Sequence, residues 1–189
     1  MRYKVNEIFR SIQGEGFYAG QVVVFVRLSG CNLKCEFCDT AHGDFMEMDG
    51  AEIEREVNRL AGHGCVPVIF TGGEPLLQLR EDGELCRGWT RRVETNATSP
   101  LPPPSWIGWV TASPKNDGGM AWAKRYANEI KIVHPSAVNP LLAQGFHGIK
   151  SIQPLDHGAT SNVGQCVEFV NRHPDFMLSL QLHKMLGVK

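Results

Sequence analysis

The feature of this chain that most restricts its fold is the alternation of short apolar, β-branched runs with segments of helical periodicity. Strands are predicted at Val22–Leu28, Val66–Phe70, Arg92–Thr95, Ile107–Thr111, Glu129–Val133, Gly148–Ile152 and Met177–Leu182. Helices are predicted at Ala51–Ala61, Met120–Ala127, Ser136–Gln144 and Asn162–Arg172. Asp49 and Glu52 predict a capping box for the first helix, and Ser161 is the expected cap of the last. A repeating βα order predicts a parallel sheet.

Chain length decides between a closed and an open arrangement of these strands. The chain has 189 residues, whereas a complete eightfold barrel usually needs ~250 residues. We therefore predict an α/β fold, a shortened and partly open (β/α) barrel with a mainly parallel sheet. The stiff loop Ser99–Pro104 does not have the composition of a linker, so residues 1–189 are predicted to form a single domain.

Composition argues against several classes of partner. The formal net charge is -1 and no basic block is present, which argues against nucleic acid. No apolar run approaches the ~20 residues that span a membrane, so no membrane partner is expected. Because the N-terminus lacks the apolar core of a signal peptide, we expect a cytoplasmic location.

Three cysteines follow the first predicted strand directly: Cys31, Cys35 and Cys38. Three thiolates from one loop can each bind one iron of a 4Fe-4S cluster, which leaves the fourth iron open to a small molecule. A structural zinc site is the alternative, with His42 available as a fourth ligand. The other cysteines, Cys65, Cys86 and Cys166, are scattered singly and are predicted to pack as small hydrophobic residues.

Polar and glycine-rich segments follow several other predicted strands. They are Thr71–Pro75, Glu94–Asn96, Ser113–Lys115 and Gln153–Asp156. Parallel sheets place ligands beyond the carboxyl ends of their strands, and glycines let the backbone approach a ligand closely. Their recurrence at strand ends predicts a ligand site at that edge of the sheet.

The cysteine spacing, the aromatic residue before Cys38 and the Gly-Gly-Glu-Pro segment together resemble the radical S-adenosylmethionine (SAM) superfamily. The resemblance implies that Cys31, Cys35 and Cys38 bind the 4Fe-4S cluster. It also implies that Gly72, Gly73 and Glu74 lie along the methionyl amine of SAM.

A narrower resemblance, to the 7-carboxy-7-deazaguanine synthase family, covers almost the whole chain. It rests on Glu7–Gly16, Arg27–Leu33, Cys38–Thr40, Thr71–Pro75, Val93–Asn96, Ser113–Lys115, Gln153–Asp156 and Ser179–Lys184. Enzymes of this family convert 6-carboxy-5,6,7,8-tetrahydropterin to 7-carboxy-7-deazaguanine with loss of ammonia, through a 5'-deoxyadenosyl radical. The resemblance further implies a homodimer and a reducing electron donor such as flavodoxin.

The same resemblance assigns individual residues. SAM would be lined by Phe37, Asp39, Gly73, Ser113, Pro114, Lys115, Gln153, Pro154, Leu155 and Asp156. The substrate would be bound by Ile12, Gln13, Gly14, Glu15, Arg27, Thr71 and the α-carboxylate of Lys189. Thr40 would bind Mg²⁺. One departure from the family pattern is Ala97, which stands where glycine is common.

Alternatives remain for several of these positions. Glu15 is a loop carboxylate that solvent alone would satisfy, and Arg27 in an apolar strand fits a structural ion pair. The hydroxyl of Thr40 fits the cap of a turn, and Lys189 fits a frayed end. For the whole chain, the alternatives are an activase that installs a glycyl radical on a partner enzyme and a non-catalytic iron-sulfur or zinc module.

Overall fold

The structure, a computed structural model, describes residues 1–38, 40, 44–135, 137–155 and 162–189. Its strands are β1 (Arg2–Ile12), β2 (Val22–Leu28), β3 (Met46–Asp49), β4 (Val68–Gly72), β5 (Arg91–Thr95), β6 (Trp109–Ala112), β7 (Glu129–His134), β8 (Ile149–Pro154) and β9 (Met177–Leu178). Its helices are α1 (Gly50–Ala61), α2 (Asp117–Tyr126), α3 (Val163–Arg172) and α4 (Leu182–Leu186), and short 3-10 turns cover Pro75–Leu77 and Pro140–Ala143.

The strands are hydrogen bonded in the order β3-β1-β2-β4-β5-β6-β7-β8-β9. β2, β4 and β5 run parallel, as do β6, β7, β8 and β9, whereas β3 is antiparallel to β1. Within the described ranges the order begins at β3 and ends at β9. The predicted α/β fold with an open, mainly parallel sheet is therefore confirmed.

The Cα positions divide into two units. Unit 1 comprises Met1–Ser11, Val22–Thr95 and Ser99–Val110, and unit 2 comprises Ile12–Gln21, Asn96–Thr98 and Thr111–Lys189. That residues 1–189 form a single domain stays a prediction.

The core of unit 1 forms where β2 and β4 pair in parallel beneath α1. Val23, Val24, Val26 and Leu28 of β2 are buried because β2 is apolar along almost its whole length. Helix α1 buries Ile53, Val57 and Ala61, which share one face at helical spacing. The predicted capping box is present: the Asp49 carboxylate accepts the Glu52 amide, and the Asp49 amide donates to the Glu52 carboxylate.

The core of unit 2 packs α2 against the strands of its own part of the sheet. Its buried members are Ala97, Ala112, Met120, Ala123, Ile130, Ile132, Val138, Ala143 and Phe176. Helix α2 begins three residues before its predicted start because the Asn116 side chain accepts the Gly119 amide as a cap.

Two predictions about the elements need correction, and two strands were not predicted. The predicted strand Met177–Leu182 is a strand only at Met177–Leu178, and the chain then turns into α4. The predicted helix Ser136–Gln144 reduces to the 3-10 turn Pro140–Ala143, because Pro140 in a helix interior would remove a backbone donor. Strands β1 and β3 were not predicted, because charged residues interrupt their apolar pattern. Ser136 and Ser161 lie outside the described residues.

Ala97 has the backbone conformation that glycine prefers, with φ at 62°, and it is 1% exposed. Replacement by glycine relieves left-handed strain but removes a buried methyl group, so Ala97→Gly should change the free energy of unfolding by less than about 1 kcal/mol. Ala97→Val places a branched side chain in this conformation and should cost about 2–4 kcal/mol. Urea denaturation checks both values.

Ala121→Val is the matched control, because Ala121 is an exposed residue of α2 with helical backbone. It should cost under about 1 kcal/mol. An Ala97→Val variant no less stable than Ala121→Val would contradict the strain argument.

Candidate functional site

The cysteine loop begins just beyond β2 and belongs to unit 1. Cys31, Cys35 and Cys38 form no disulfide, and the first two are half-buried whereas the third is exposed. The Leu33 amide donates to the Cys31 sulfur at 3.4 Å, and the Cys38 amide donates to the Cys35 carbonyl at 3.1 Å. Across the residues that the structure describes, no three His, Cys, Asp or Glu side chains are grouped to bind one metal ion. The loop therefore offers three separate thiols.

The remaining cysteines differ from one another. Burial raises the pKa of the Cys86 thiol to about 12 and that of the Cys166 thiol to about 11. Both are fully buried, so the prediction that they pack as small hydrophobic residues is confirmed. The same prediction is wrong for Cys65, which is exposed.

Gly72 and Gly73 lie against the backbone that leads into the cysteine loop. The Gly73 amide donates to the Leu28 carbonyl at 3.0 Å, and the Glu74 amide donates to the Gly30 carbonyl at 2.9 Å. A Cβ atom on Gly72 would overlap the Leu28 carbonyl oxygen, and one on Gly73 would overlap that of Gly30. Gly72 also has φ at 124°. Only glycine therefore permits this contact at either position.

Glu74 and Thr71 connect the end of β4 to the end of β5. The Glu74 carboxylate is fully buried and accepts the Leu76 amide at 3.0 Å and the Thr95 hydroxyl at 2.8 Å. The Thr71 hydroxyl donates to the Glu94 carboxylate at 3.1 Å. These bonds fix the polar residues that follow the two parallel strands.

Arg27 of β2 forms an ion pair with Glu7 of β1 at 3.0 Å. Its guanidinium lies 5.2 Å from the centre of the Phe9 ring, and its Nε atom is buried without a hydrogen-bond partner. The structural ion pair that the sequence left open is therefore present. Because the Arg27 side chain keeps 30% exposure, it also retains surface for a ligand.

In unit 2, the loop Ile12–Phe17 contacts the C-terminal segment. The Leu182 amide donates to the Gly14 carbonyl at 2.9 Å. A Cβ atom on Gly14 would overlap the His183 imidazole, so a larger residue there would displace this side chain. The start of α4 is thus held directly against the loop.

Glu15 of this loop forms a buried ion pair with Lys131 of β7 and accepts a hydrogen bond from the side-chain amide of Gln181 at 2.7 Å. Burial alone would raise the pKa of Glu15, but the Lys131 charge, the hydrogen bonds from Lys131 and Gln181 and the nearby His183 lower it to about 2. The alternative in which solvent alone satisfies Glu15 is wrong.

Two further side chains hold the next residues of the loop. The Ser179 hydroxyl accepts the Gly16 backbone amide at 2.9 Å and donates to the side-chain carbonyl of Gln153 at 2.9 Å. The Glu129 carboxylate is 1% exposed and accepts the Phe17 amide at 3.1 Å and the Ser151 hydroxyl at 2.6 Å. The loop backbone is therefore fixed by buried polar side chains of β7 and of the segment after β9.

Comparison with known proteins gives consistent matches. The model of the radical SAM superfamily matches residues 25–105. The 7-carboxy-7-deazaguanine synthase of Bacteroides thetaiotaomicron is 40% identical over 202 residues, and that of Bradyrhizobium diazoefficiens is 35% identical over 219, each alignment covering 100% of both chains. This chain belongs to the 7-carboxy-7-deazaguanine synthase family. The crystal structure of QueE from Escherichia coli has the same fold, with a TM-score of 0.73, 24% identity and coverage of 97% of this chain and 95% of that one.

Membership in a radical SAM family implies a 4Fe-4S cluster and SAM. The residues present fit the cluster, because three thiols lie in one loop and the Gly30–Gly73 contact fixes the entry to that loop. The residues assigned to SAM after β6 and at the end of β8 also carry polar groups. The Lys115 ammonium donates to the Ser113 hydroxyl at 2.7 Å, and Gln153 is 4% exposed.

The other family assignments are placed as follows. Phe37 is exposed, Thr40 is half-buried with its carbonyl 3.8 Å from the Cys38 sulfur, and Lys189 is exposed. Pro154 is buried and Leu155 half-buried at the end of β8. Asp39 and Asp156 lie outside the described residues. All these ligand assignments stay predictions.

Sequence reasoning assigned no role to the groups that hold the proposed ligand residues. These are Glu7, Glu129, Lys131, Ser179, Gln181 and His183. A signal was available at β7, where Glu129 and Lys131 interrupt an apolar strand, because buried charges require partners.

Replacing Gly73 by Ala should prevent cluster assembly although Gly73 is not a ligand of the cluster. The new Cβ would displace Gly30 and the start of the cysteine loop. We expect Gly73→Ala to lose most of its cluster absorbance after anaerobic reconstitution. Gly64→Ala is the matched control, since a Cβ there meets only ordinary contacts at 3.7 Å or more. Equal iron content in the two variants would contradict the steric argument.

The Glu15–Lys131 pair should make stability dependent on pH. Because the folded-state pKa of Glu15 is about 2, against an ordinary value of 4.5, its contribution is present above pH 5 and is lost as pH falls toward 2. Glu15→Gln should therefore flatten the plot of unfolding free energy against pH between 5 and 3, by on the order of 2 kcal/mol. Urea denaturation at each pH measures this.

Glu168→Gln is the control, because Glu168 forms an exposed ion pair with Arg172. It should change stability by under about 0.5 kcal/mol. A pH profile of Glu15→Gln that parallels the wild type would show that the buried pair does not titrate as described.

Proposed function

We propose that this protein converts 6-carboxy-5,6,7,8-tetrahydropterin to 7-carboxy-7-deazaguanine with loss of ammonia, on the route to queuosine and other 7-deazapurines. The observation that carries the proposal is full-length identity of 40% to a 7-carboxy-7-deazaguanine synthase, together with the three thiols after β2. Membership in this family favours the synthase reaction over a glycyl-radical activase or a non-catalytic module.

In this proposal Cys31, Cys35 and Cys38 bind a 4Fe-4S cluster, which with SAM supplies the radical chemistry. The protein binds and orients the two small molecules and excludes water. The segments Gly72–Glu74, Ser113–Lys115 and Gln153–Asp156, with Phe37 and Asp39, contact SAM. The supporting geometry is the fixed backbone of Gly72–Glu74 and the buried Gln153.

The pterin is bound by the loop Ile12–Glu15 and by Arg27 and Thr71. A pterin is flat and rich in donors and acceptors, which suits the backbone groups of a rigid loop. The Arg27 guanidinium suits the pterin carboxylate, because it is held by Glu7 and Phe9 yet keeps exposed surface. The ion pair between Glu15 and Lys131 keeps this loop in one conformation, in which Glu15 binds the pterin.

Three further parts of the proposal follow from the family. The protein forms a homodimer, accepts electrons from a reducing donor such as flavodoxin, and works in the cytoplasm, where its cysteines stay reduced. In the structure itself, no helix in the described portion of the chain is long and apolar enough to cross a membrane.

Incubation of the anaerobically reconstituted, reduced protein with SAM and the carboxypterin tests the function. Mass spectrometry should detect 7-carboxy-7-deazaguanine in the wild type and none with Cys35→Ala. Cys65→Ser, which alters an exposed cysteine outside the loop, should remain active. Cleavage of SAM without this product in the wild type would contradict the assigned substrate.

Thr40 is the proposed protein ligand of Mg²⁺. Magnesium prefers six oxygen ligands and commonly takes only one or two from protein. The pterin carboxylate would supply another, so the ion would both orient the substrate and neutralise its charge. Mg²⁺ should therefore stimulate turnover several-fold, and Thr40→Ala should lose most of this stimulation while retaining cluster and SAM binding.

Thr90→Ala serves as the control for a lost threonine hydroxyl, since Thr90 is exposed and precedes β5. It should respond to Mg²⁺ as the wild type does. If Thr40→Ala also responds as the wild type does, the metal ligand is another residue.

A further inference from the structure

Ser179 lies between two segments that the proposed function assigns to different ligands. It follows β9 and is 4% exposed. Its hydroxyl contacts Gly16, in the loop proposed to bind the pterin, and Gln153, at the strand end proposed to bind SAM. Both bonds measure 2.9 Å, and all three residues belong to unit 2.

The two hydrogen bonds of the Ser179 hydroxyl have opposite directions. A backbone N–H can only donate, so the Ser179 oxygen must accept from Gly16. The hydroxyl proton is directed at the side-chain carbonyl oxygen Oε1 of Gln153. With its Oε1 turned toward Ser179, the Gln153 side chain directs its NH₂ group away from Ser179.

The consequence for Gln153 is an available donor. With Oε1 bound to Ser179, the Nε2 group has no hydrogen-bond partner among the residues described. Gln153 is nevertheless buried, with only 4% of its surface exposed. Nε2 is not fully enclosed either, because it is absent from the buried polar atoms that lack a partner. A buried residue whose NH₂ group is partly accessible and has no protein acceptor suits a ligand with acceptor atoms.

We propose that Ser179 is a positioning residue that turns the Gln153 NH₂ group toward the SAM site and holds Gly16 of the pterin loop in place. This inference rests on the proposed function for the identity of the two ligands. One hydroxyl then connects two ligand-binding segments, because movement of either segment breaks its hydrogen bond to Ser179.

The experiment compares Ser179→Ala with Ser179→Thr, which retains the hydroxyl, and with Ser99→Ala. Ser99 is a matched control because it is also buried and its hydroxyl accepts the Leu101 amide. Hydrogen–deuterium exchange of the ligand-free protein reports the Gly16 amide. Equilibrium dialysis of the reconstituted protein reports the SAM dissociation constant.

Ser179→Ala should speed exchange at Gly16 about tenfold and weaken SAM binding about five- to tenfold, since one net hydrogen bond is worth about 0.5–1.5 kcal/mol. Ser179→Thr should restore both values toward the wild type, and Ser99→Ala should alter neither. Wild-type exchange or wild-type SAM affinity in Ser179→Ala would overturn the proposal.

Gln153→Glu separates the two roles and stays informative if Ser179→Ala fails to fold. The carboxylate still accepts from Ser179 but has no NH₂ group, so Gly16 exchange should stay at the wild-type rate while SAM affinity falls. Unchanged SAM affinity would overturn the proposed orientation of Gln153. If the wild type binds SAM but forms no deazapurine, the proposed function fails, whereas these exchange and binding measurements still decide the role of Ser179.

Discussion

The close backbone contact between Gly72–Gly73 and Leu28–Gly30 is the constraint on which the candidate site in unit 1 depends. It extends the parallel pairing of β2 and β4 by hydrogen bonds to the Leu28 and Gly30 carbonyls. Because a Cβ atom at either glycine would overlap a carbonyl oxygen, no other residue allows it. The contact fixes the chain immediately before Cys31, so the cysteine loop starts from a rigid position.

In unit 2, polar contacts hold an irregular loop in place. The loop Ile12–Phe17 is held by backbone and side-chain hydrogen bonds that originate from β7, Ser179 and the start of α4. Glu15 and Lys131 form an ion pair, so neither buried charge is left without a partner of opposite sign. A loop held in this way can present its backbone groups to a flat polar ligand with little loss of entropy on binding.

The sequence predicted the strands whose apolar runs are continuous, and β2 was predicted with its observed bounds, Val22–Leu28. It failed at β1, where Lys4, Asn6 and Glu7 hide the strand pattern, and after Leu178, where the polar segment turns into α4. The cysteine loop and the glycine pair were predictable because their chemistry is local in sequence. The partners of Glu15 and Gly16 were not, because those contacts join residues 116 and 163 positions apart.

The central claim is that three cysteines after β2 bind a 4Fe-4S cluster whose fourth iron is left for SAM. Mössbauer spectroscopy of the protein reconstituted with ⁵⁷Fe tests it most directly, with and without SAM. The account predicts a 4Fe-4S spectrum in which the signal of one iron in four shifts when SAM is added, as expected for a single site without a protein ligand. A spectrum unchanged by SAM, or a reconstituted protein that holds zinc in place of iron, would contradict it.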